Sequence, residues 1–241
     1  MNIAVILAGG TGQRLGESIP KQFVKVLGKP LIVYALEIYE KSRYIDAIEV
    51  VCVPDYMDAV WGYAKIYEIN KLKWVIPGGS SCQESTKNGI FHLEGICNDD
   101  DILIFGMSTS IFVDDKILRS SLDVCKRYGN AFAASQCIYN LATTTDGFTC
   151  TSINSKEVHK TLNLPWTAPF GKLLKLYKKA YSENIETSQS SYIPTLFLAV
   201  GETLYLSEDT VKNKIHVTTR EDLDIIKGCL LIEKNKKESR K

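Results

Sequence analysis

Ile3-Ala4-Val5-Ile6-Leu7-Ala8-Gly9-Gly10-Thr11-Gly12-Gln13-Arg14-Leu15 is a short apolar run that empties into a glycine-rich loop. Ile3–Leu7 carries the pattern of a buried first strand. Working outward, Pro30–Lys41 places Leu31, Tyr34, Ala35 and Ile38 at the spacing of an amphipathic helix. Ala47–Val53 reads as a strand, Tyr56–Glu68 as a helix, and Trp74–Ile76 as a short strand ending at Pro77-Gly78-Gly79. Ser81 with Glu84 fits a capping box, so a helix starts there and runs to about Leu93. Ile102–Phe105 is a further strand, Asp114–Tyr128 a helix with Asp114 as its N-cap, and Ala131–Gln136 a strand. Such alternation predicts an α/β fold with a single doubly wound, mostly parallel sheet. Right-handed crossovers then bring the C-terminal strand ends to one edge, where ligands bind.

The rhythm breaks at 138–164, a Thr-, Ser- and Asn-rich stretch with a turn at Asp146-Gly147, and a protruding β-arm fits it. Ala168–Ser182 returns to helix, Glu202–Ser207 to strand and Arg220–Leu231 to helix. Residues 1–232 are expected to form one domain, and 233–241 a charged, frayed tail.

The 241 residues are 45% hydrophobic and 24% charged, which fits a soluble globular chain and excludes a disordered one. Lys and Arg total 29 against 28 Asp and Glu, a net charge of +1, so no basic field supports nucleic-acid binding. No apolar stretch is long enough for a membrane span, and the N-terminus lacks the basic start of a signal peptide. The seven cysteines are odd in number and widely spaced, without a Cys-x-x-Cys. They read as reduced thiols of a cytoplasmic protein. The three histidines are far apart and none pairs with a cysteine at metal-ligand spacing, so no metal-ligating residue is assigned.

Chemistry concentrates at the opening loop. Glycines allow close backbone approach and point N–H groups at an anion. Arg14 adds a fork of donors, and Lys21, in Pro20-Lys21-Gln22, a point charge. These residue types suit a triphosphate. The loop is not a Walker A motif, and Leu15 stands where a dinucleotide fingerprint needs its third glycine.

Leu-Ala-Gly-Gly-x-Gly-x-Arg followed by Pro-Lys-Gln-Phe resembles the sugar-nucleotidyltransferase superfamily, and within it the methylerythritol 4-phosphate and ribitol 5-phosphate cytidylyltransferases. Gly78-Gly79-Ser80-Ser81-Cys82-Gln83-Glu84-Ser85-Thr86-Lys87-Asn88-Gly89-Ile90 is similar to a second family block. Gly28-Lys29-Pro30-Leu31 and Thr218-Thr219-Arg220-Glu221-Asp222-Leu223 also fit. The resemblance implies a Rossmann-like nucleotidyltransferase fold and a homodimer formed through the β-arm. It implies attack by a polyol-phosphate oxygen on the α-phosphate of CTP, with Mg2+ and release of pyrophosphate. Ala8, Gly9, Gly10, Thr11 and Gly12 would hold the phosphates, with Arg14 and Lys21 as the catalytic cations. Gly78, Gly79 and Ser85 would contact the cytosine. His216 and Lys214 are the acceptor-side candidates.

The chain departs from the family at several places. Where the family has His-Asp-x-x-Arg-Pro, it carries Gly106-Met107-Ser108-Thr109-Ser110-Ile111, which puts a thioether in place of the metal aspartate. Cys82 replaces a base-proximal arginine, and the acceptor turn reads Leu164-Pro165-Trp166. The family's Thr-Asp pair falls near Ser191-Tyr192, and its acceptor-phosphate lysine at His216. Magnesium would then rest on the nucleotide phosphates. Two readings stay open: a cytidylyltransferase with a reshaped acceptor site, or a catalytically degenerate relative that binds nucleotide or a partner. Ribitol 5-phosphate is the first acceptor expected and methylerythritol 4-phosphate the second.

Overall fold

The computed structural model describes residues 1–10, 19–183, 185, 193–210 and 212–239. Strand β1 (Asn2–Ala8) is followed by the small pair β2 (Lys25–Val26) and β3 (Lys29–Pro30), then helix α1 (Leu31–Lys41). Next come β4 (Ala47–Cys52), α2 (Met57–Ile66), β5 (Leu72–Pro77), α3 (Cys82–His92), β6 (Ile102–Met107), α4 (Asp115–Tyr128) and β7 (Ala131–Gln136). The hairpin β8 (Leu141–Thr143) and β9 (Ser152–Asn154) precedes β10 (Lys160–Pro169) and α5 (Phe170–Ser182). The chain continues with α6 (Ile193–Ala199), β11 (Leu206–Glu208) and α7 (Arg220–Glu238).

Among the described residues, seven strands form one sheet in the order β11-β7-β10-β6-β1-β4-β5. β10 pairs antiparallel with both β6 and β7, while the pairs β1–β4, β1–β6, β4–β5 and β11–β7 are parallel. The sheet is therefore mostly parallel, and β1, β4, β5 and β6 end together at Ala8, Cys52, Pro77 and Met107.

Two-residue periodicity splits the first strand between two cores. Ala4, Ile6 and Ala8 face a cluster with α1, α2 and α4 residues such as Leu36, Val60 and Leu118. Ile3, Val5 and Leu7 face another with Ile90, Leu173 and Phe197 from α3, α5 and α6. Each fully buried Ile or Leu there contributes about 1.5–3 kcal/mol. A third cluster, with Val26, Leu31, Ile111, Val217 and Ile226, seats α7 against α1.

Three expectations need correction. The helix expected from Ala168 begins at Phe170, because Trp166, Thr167 and Ala168 are paired to β6. Those residues are buried on both faces, so they show no alternation from which a strand can be read. The last strand is Leu206–Glu208, shorter and later than Glu202–Ser207. Helix α7 continues to Glu238 rather than fraying from residue 233, with Lys212–Glu233 and Lys234–Glu238 ion pairs along it. Asp101, just before β6, is buried and accepts from the Asn98 N–H at 2.7 Å.

Candidate functional site

The common strand edge carries two cavities. The first, about 400 Å3, is lined by Leu7, Gly9 and Gly10 after β1, by Lys21 and Gln22, by Gly79–Ser85 residues at the start of α3, and by Met107, Ser108 and Thr109 after β6. The second, about 310 Å3, is lined by Met107 and Ser110, by Leu162–Trp166 residues of β10, by Pro194 and Thr195 of α6, and by Asn213 and His216. Met107 belongs to both, so the two cavities adjoin at the end of β6.

In the first cavity, close backbone approach explains the glycines. A Cβ on Gly9 would lie 3.1 Å from Ser85 Oγ, and one on Gly78 3.2 Å from the same atom and 3.4 Å from the Gly9 Cα. The Gly79 N–H donates to Ser85 Oγ at 3.0 Å. The loops after β1 and β5 thus close on one small hydroxyl. Gln22, almost fully buried, donates from Nε2 to the carbonyls of Ala8 at 2.6 Å and Gly10 at 3.0 Å. That satisfies both carbonyls and braces the glycine loop. Lys21 Nζ donates to the Val217 carbonyl at 2.6 Å, which ties the loop to the segment before α7.

Ser81 caps α3, accepting from the Glu84 N–H at 3.1 Å, and Glu84 Oε2 accepts from the Ser80 N–H at 2.7 Å. The start of α3 therefore points a partly positive helix end at the cavity. Cys82 lies at this end, and burial pushes its thiol up, so it is an uncharged wall rather than a nucleophile. The Ser108, Thr109 and Ser110 side chains are buried, and Thr109 Oγ1 has no hydrogen-bond partner.

The structure brings Gly9, Gly10, Lys21, Gly79 and Ser85 together around the first cavity. Ala8 and Gly78 flank it through their contacts with Gln22 and Ser85. Thr11, Gly12 and Arg14 lie outside the described residues, as do Ser191 and Tyr192. His216 lines the second cavity and is exposed. Lys214 lines neither; its Nζ donates to the Gln136 carbonyl at 3.0 Å. Gln22, Asn163, Thr195 and Asn213 were not singled out from sequence as site residues. Gln22 stood in a recognised triplet, but the others have no local signal, because β10, α6 and the loop before α7 converge only on folding.

The residues at the edge do not fit a protein-held magnesium. A hard cation takes oxygen ligands, and Met107 offers a thioether where β6 ends. The side-chain oxygens lining the first cavity are neutral hydroxyls and an amide, and among the described residues no group of three or more His, Cys, Asp and Glu converges on a metal position.

The sequence pattern of the IspD family, 2-C-methyl-D-erythritol 4-phosphate cytidylyltransferase, matches residues 2–227. A ribitol-5-phosphate cytidylyltransferase of Lacticaseibacillus paracasei is 35% identical over 95% of this chain and 98% of its own length. A 2-C-methyl-D-erythritol 4-phosphate cytidylyltransferase of Petrotoga mobilis is 31% identical over 94% of this chain and 97% of its own. The crystal structure of 4-diphosphocytidyl-2C-methyl-D-erythritol synthase from Anaerococcus prevotii superposes with a TM-score of 0.78 at 15% identity, covering 96% of this chain and 98% of that one. At that identity the likeness speaks for the fold.

Proposed function

This chain belongs to the IspD family of cytidylyltransferases, and from that premise we propose that it transfers CMP from CTP to ribitol 5-phosphate with release of pyrophosphate. The observation that carries the reading is the pair of cavities meeting at Met107: a two-substrate transfer needs two adjoining sites with the reacting phosphates at their junction. CTP occupies the glycine-walled cavity. Gly9, Gly10 and, beyond the described residues, Thr11 and Gly12 offer backbone donors to the phosphates. Gly78, Gly79 and Ser85 form a narrow slot for the base. The acceptor enters the second cavity with its phosphate toward Met107 and His216. The choice of ribitol rests on the 35% identical relative.

In the reaction, an acceptor phosphate oxygen attacks the α-phosphorus of CTP. The bond from that phosphorus to the bridging oxygen breaks, and pyrophosphate leaves with the electron pair. Little covalent work falls to the protein, so positioning and charge stabilisation dominate. Lys21, and with it Arg14, neutralises charge on the α-phosphate and the leaving group. The Lys21 ammonium is held at the Val217 carbonyl, which fixes its position beside the cavity. The described residues supply no metal cradle; magnesium, when bound, would be held by the nucleotide phosphates and water and would neutralise phosphate charge there. The working enzyme is a homodimer joined through the β-arm, in the cytoplasm; the seven cysteines form no disulfide among themselves in the structure. No helix among the described residues is long and apolar enough to cross a membrane.

Pyrophosphate release with CTP, Mg2+ and either ribitol 5-phosphate or methylerythritol 4-phosphate tests this. Ribitol 5-phosphate should give the higher kcat/KM, and Lys21→Ala should lower kcat by about 100–1000-fold, the scale for loss of one charge-stabilising group. Silence with every polyol phosphate, alongside intact CTP binding, would favour the degenerate reading instead.

A further inference from the structure

Asn213 lines the second cavity and is 4% exposed. Its Nδ2 donates to the Leu164 carbonyl at 2.6 Å and to Asp209 Oδ1 at 2.8 Å. Both partners are acceptors, so a flipped amide would set oxygen against two oxygens; the orientation is fixed. Oδ1 is left over, buried and without a hydrogen-bond partner. The other Asp209 oxygen, Oδ2, accepts from Asn163 Nδ2 at 2.5 Å, and Asn163 lines the same cavity. One carboxylate therefore gathers the nitrogens of two amides and leaves their carbonyl oxygens as acceptors.

An amide oxygen can only accept, so its missing partner carries a hydrogen. A phosphate oxygen does not meet that need, and a chain hydroxyl does. The rest of the wall includes Leu162, Trp166 and Pro194, which suits the carbon side of such a chain. We propose that Asn213, oriented by Asp209 beside Asn163, determines acceptor specificity by accepting a hydrogen bond from a hydroxyl of the polyol chain. The phosphate end then lies at the Met107 side, away from the fixed acceptors. The assignment rests on the second cavity taking the acceptor.

Initial rates with CTP and ribitol 5-phosphate or its singly deoxygenated analogues test the proposal. The unaltered protein should lose roughly 10–100-fold in kcat/KM with at least one mid-chain deoxy analogue. Asn213→Ala should raise KM for ribitol 5-phosphate by a similar factor, leave KM for CTP in place, and use that analogue as well as the parent. Asp209→Asn, which keeps the volume, should relax the discrimination partway. Equal use of every analogue by the unaltered protein overturns the proposal without recourse to a variant. So does an Asn213→Ala protein that slows all acceptors equally, which is the mark of a folding role. In both cases turnover of ribitol 5-phosphate by the unaltered protein leaves the broader reading standing. No turnover of any polyol phosphate removes that reading and this proposal with it.

Discussion

Glu49 has no exposed surface, a setting that costs a carboxylate heavily. Its Oε1 lies 2.6 Å from His92 Nδ1, while Oε2 has no partner. Burial pushes the Glu49 carboxyl up to about 7, and the hydrogen bond to Glu49 raises the His92 ring. The folded chain thus keeps protons that the unfolded chain releases, from about 4.5 for the carboxyl and about 6.5 for the imidazole. Stability must fall as pH rises through that window and level off above it. Thermal melts should show Tm declining between about pH 5 and pH 7.5, with the slope flattened in Glu49→Gln. An unchanged slope in that variant would place the pH dependence on other groups. Neither residue stands out in the sequence: Glu49 interrupts an apolar strand and His92 ends a helix, and only their meeting gives them a shared proton.

At the scale of elements, α3 joins the site to the core. Its first turn lines the glycine-walled cavity, and Ile90 near its other end is buried against the sheet. The signals for its start are local, so Ser81 and Glu84 could be read directly; Asp114 announced α4 in the same way, accepting from the Ile117 N–H at 2.9 Å. Ser81→Ala should cost about 1 kcal/mol and lower Tm by roughly 2–4 °C. It should also raise KM for CTP, because a frayed first turn no longer presents the cavity wall. A Tm drop with unchanged KM would mean that the cap serves folding alone. β10 was harder to read. It leaves the arm region, enters the sheet antiparallel between β6 and β7, and has no alternation to betray it.

Across the whole molecule, the most exposed large apolar side chains include three of the arm region. Phe148 is 95% exposed, Ile153 75% and Val158 79%. Phe148 and Ile153 lie in the β8–β9 hairpin and Val158 in the short helical turn after it, and such exposed apolar side chains call for a second surface. With a homodimer through the arm, Phe148→Asp with Ile153→Asp should convert the protein to a monomer in sedimentation, with the monomer fold intact by circular dichroism. Wild-type protein that sediments as a monomer at micromolar concentration would remove the arm from that role.

By itself the sequence determined the alternating strands and helices, the glycine loop with its cation, and the capped start of α3. These are local: backbone freedom, hydrophobic period and cap chemistry act over a few neighbouring residues. Tertiary structure decided what lies opposite them. It set Gly9 and Gly78 against Ser85, brought Gln22 under the loop, tied Lys214 to the Gln136 carbonyl, and placed Asn163, Asp209 and Asn213 in one network. Those residues are separated by up to dozens of positions. Their contacts come from sheet order and crossover packing, which local periodicity does not encode, so the glycine-walled cavity was legible and the Asn163–Asp209–Asn213 network was not.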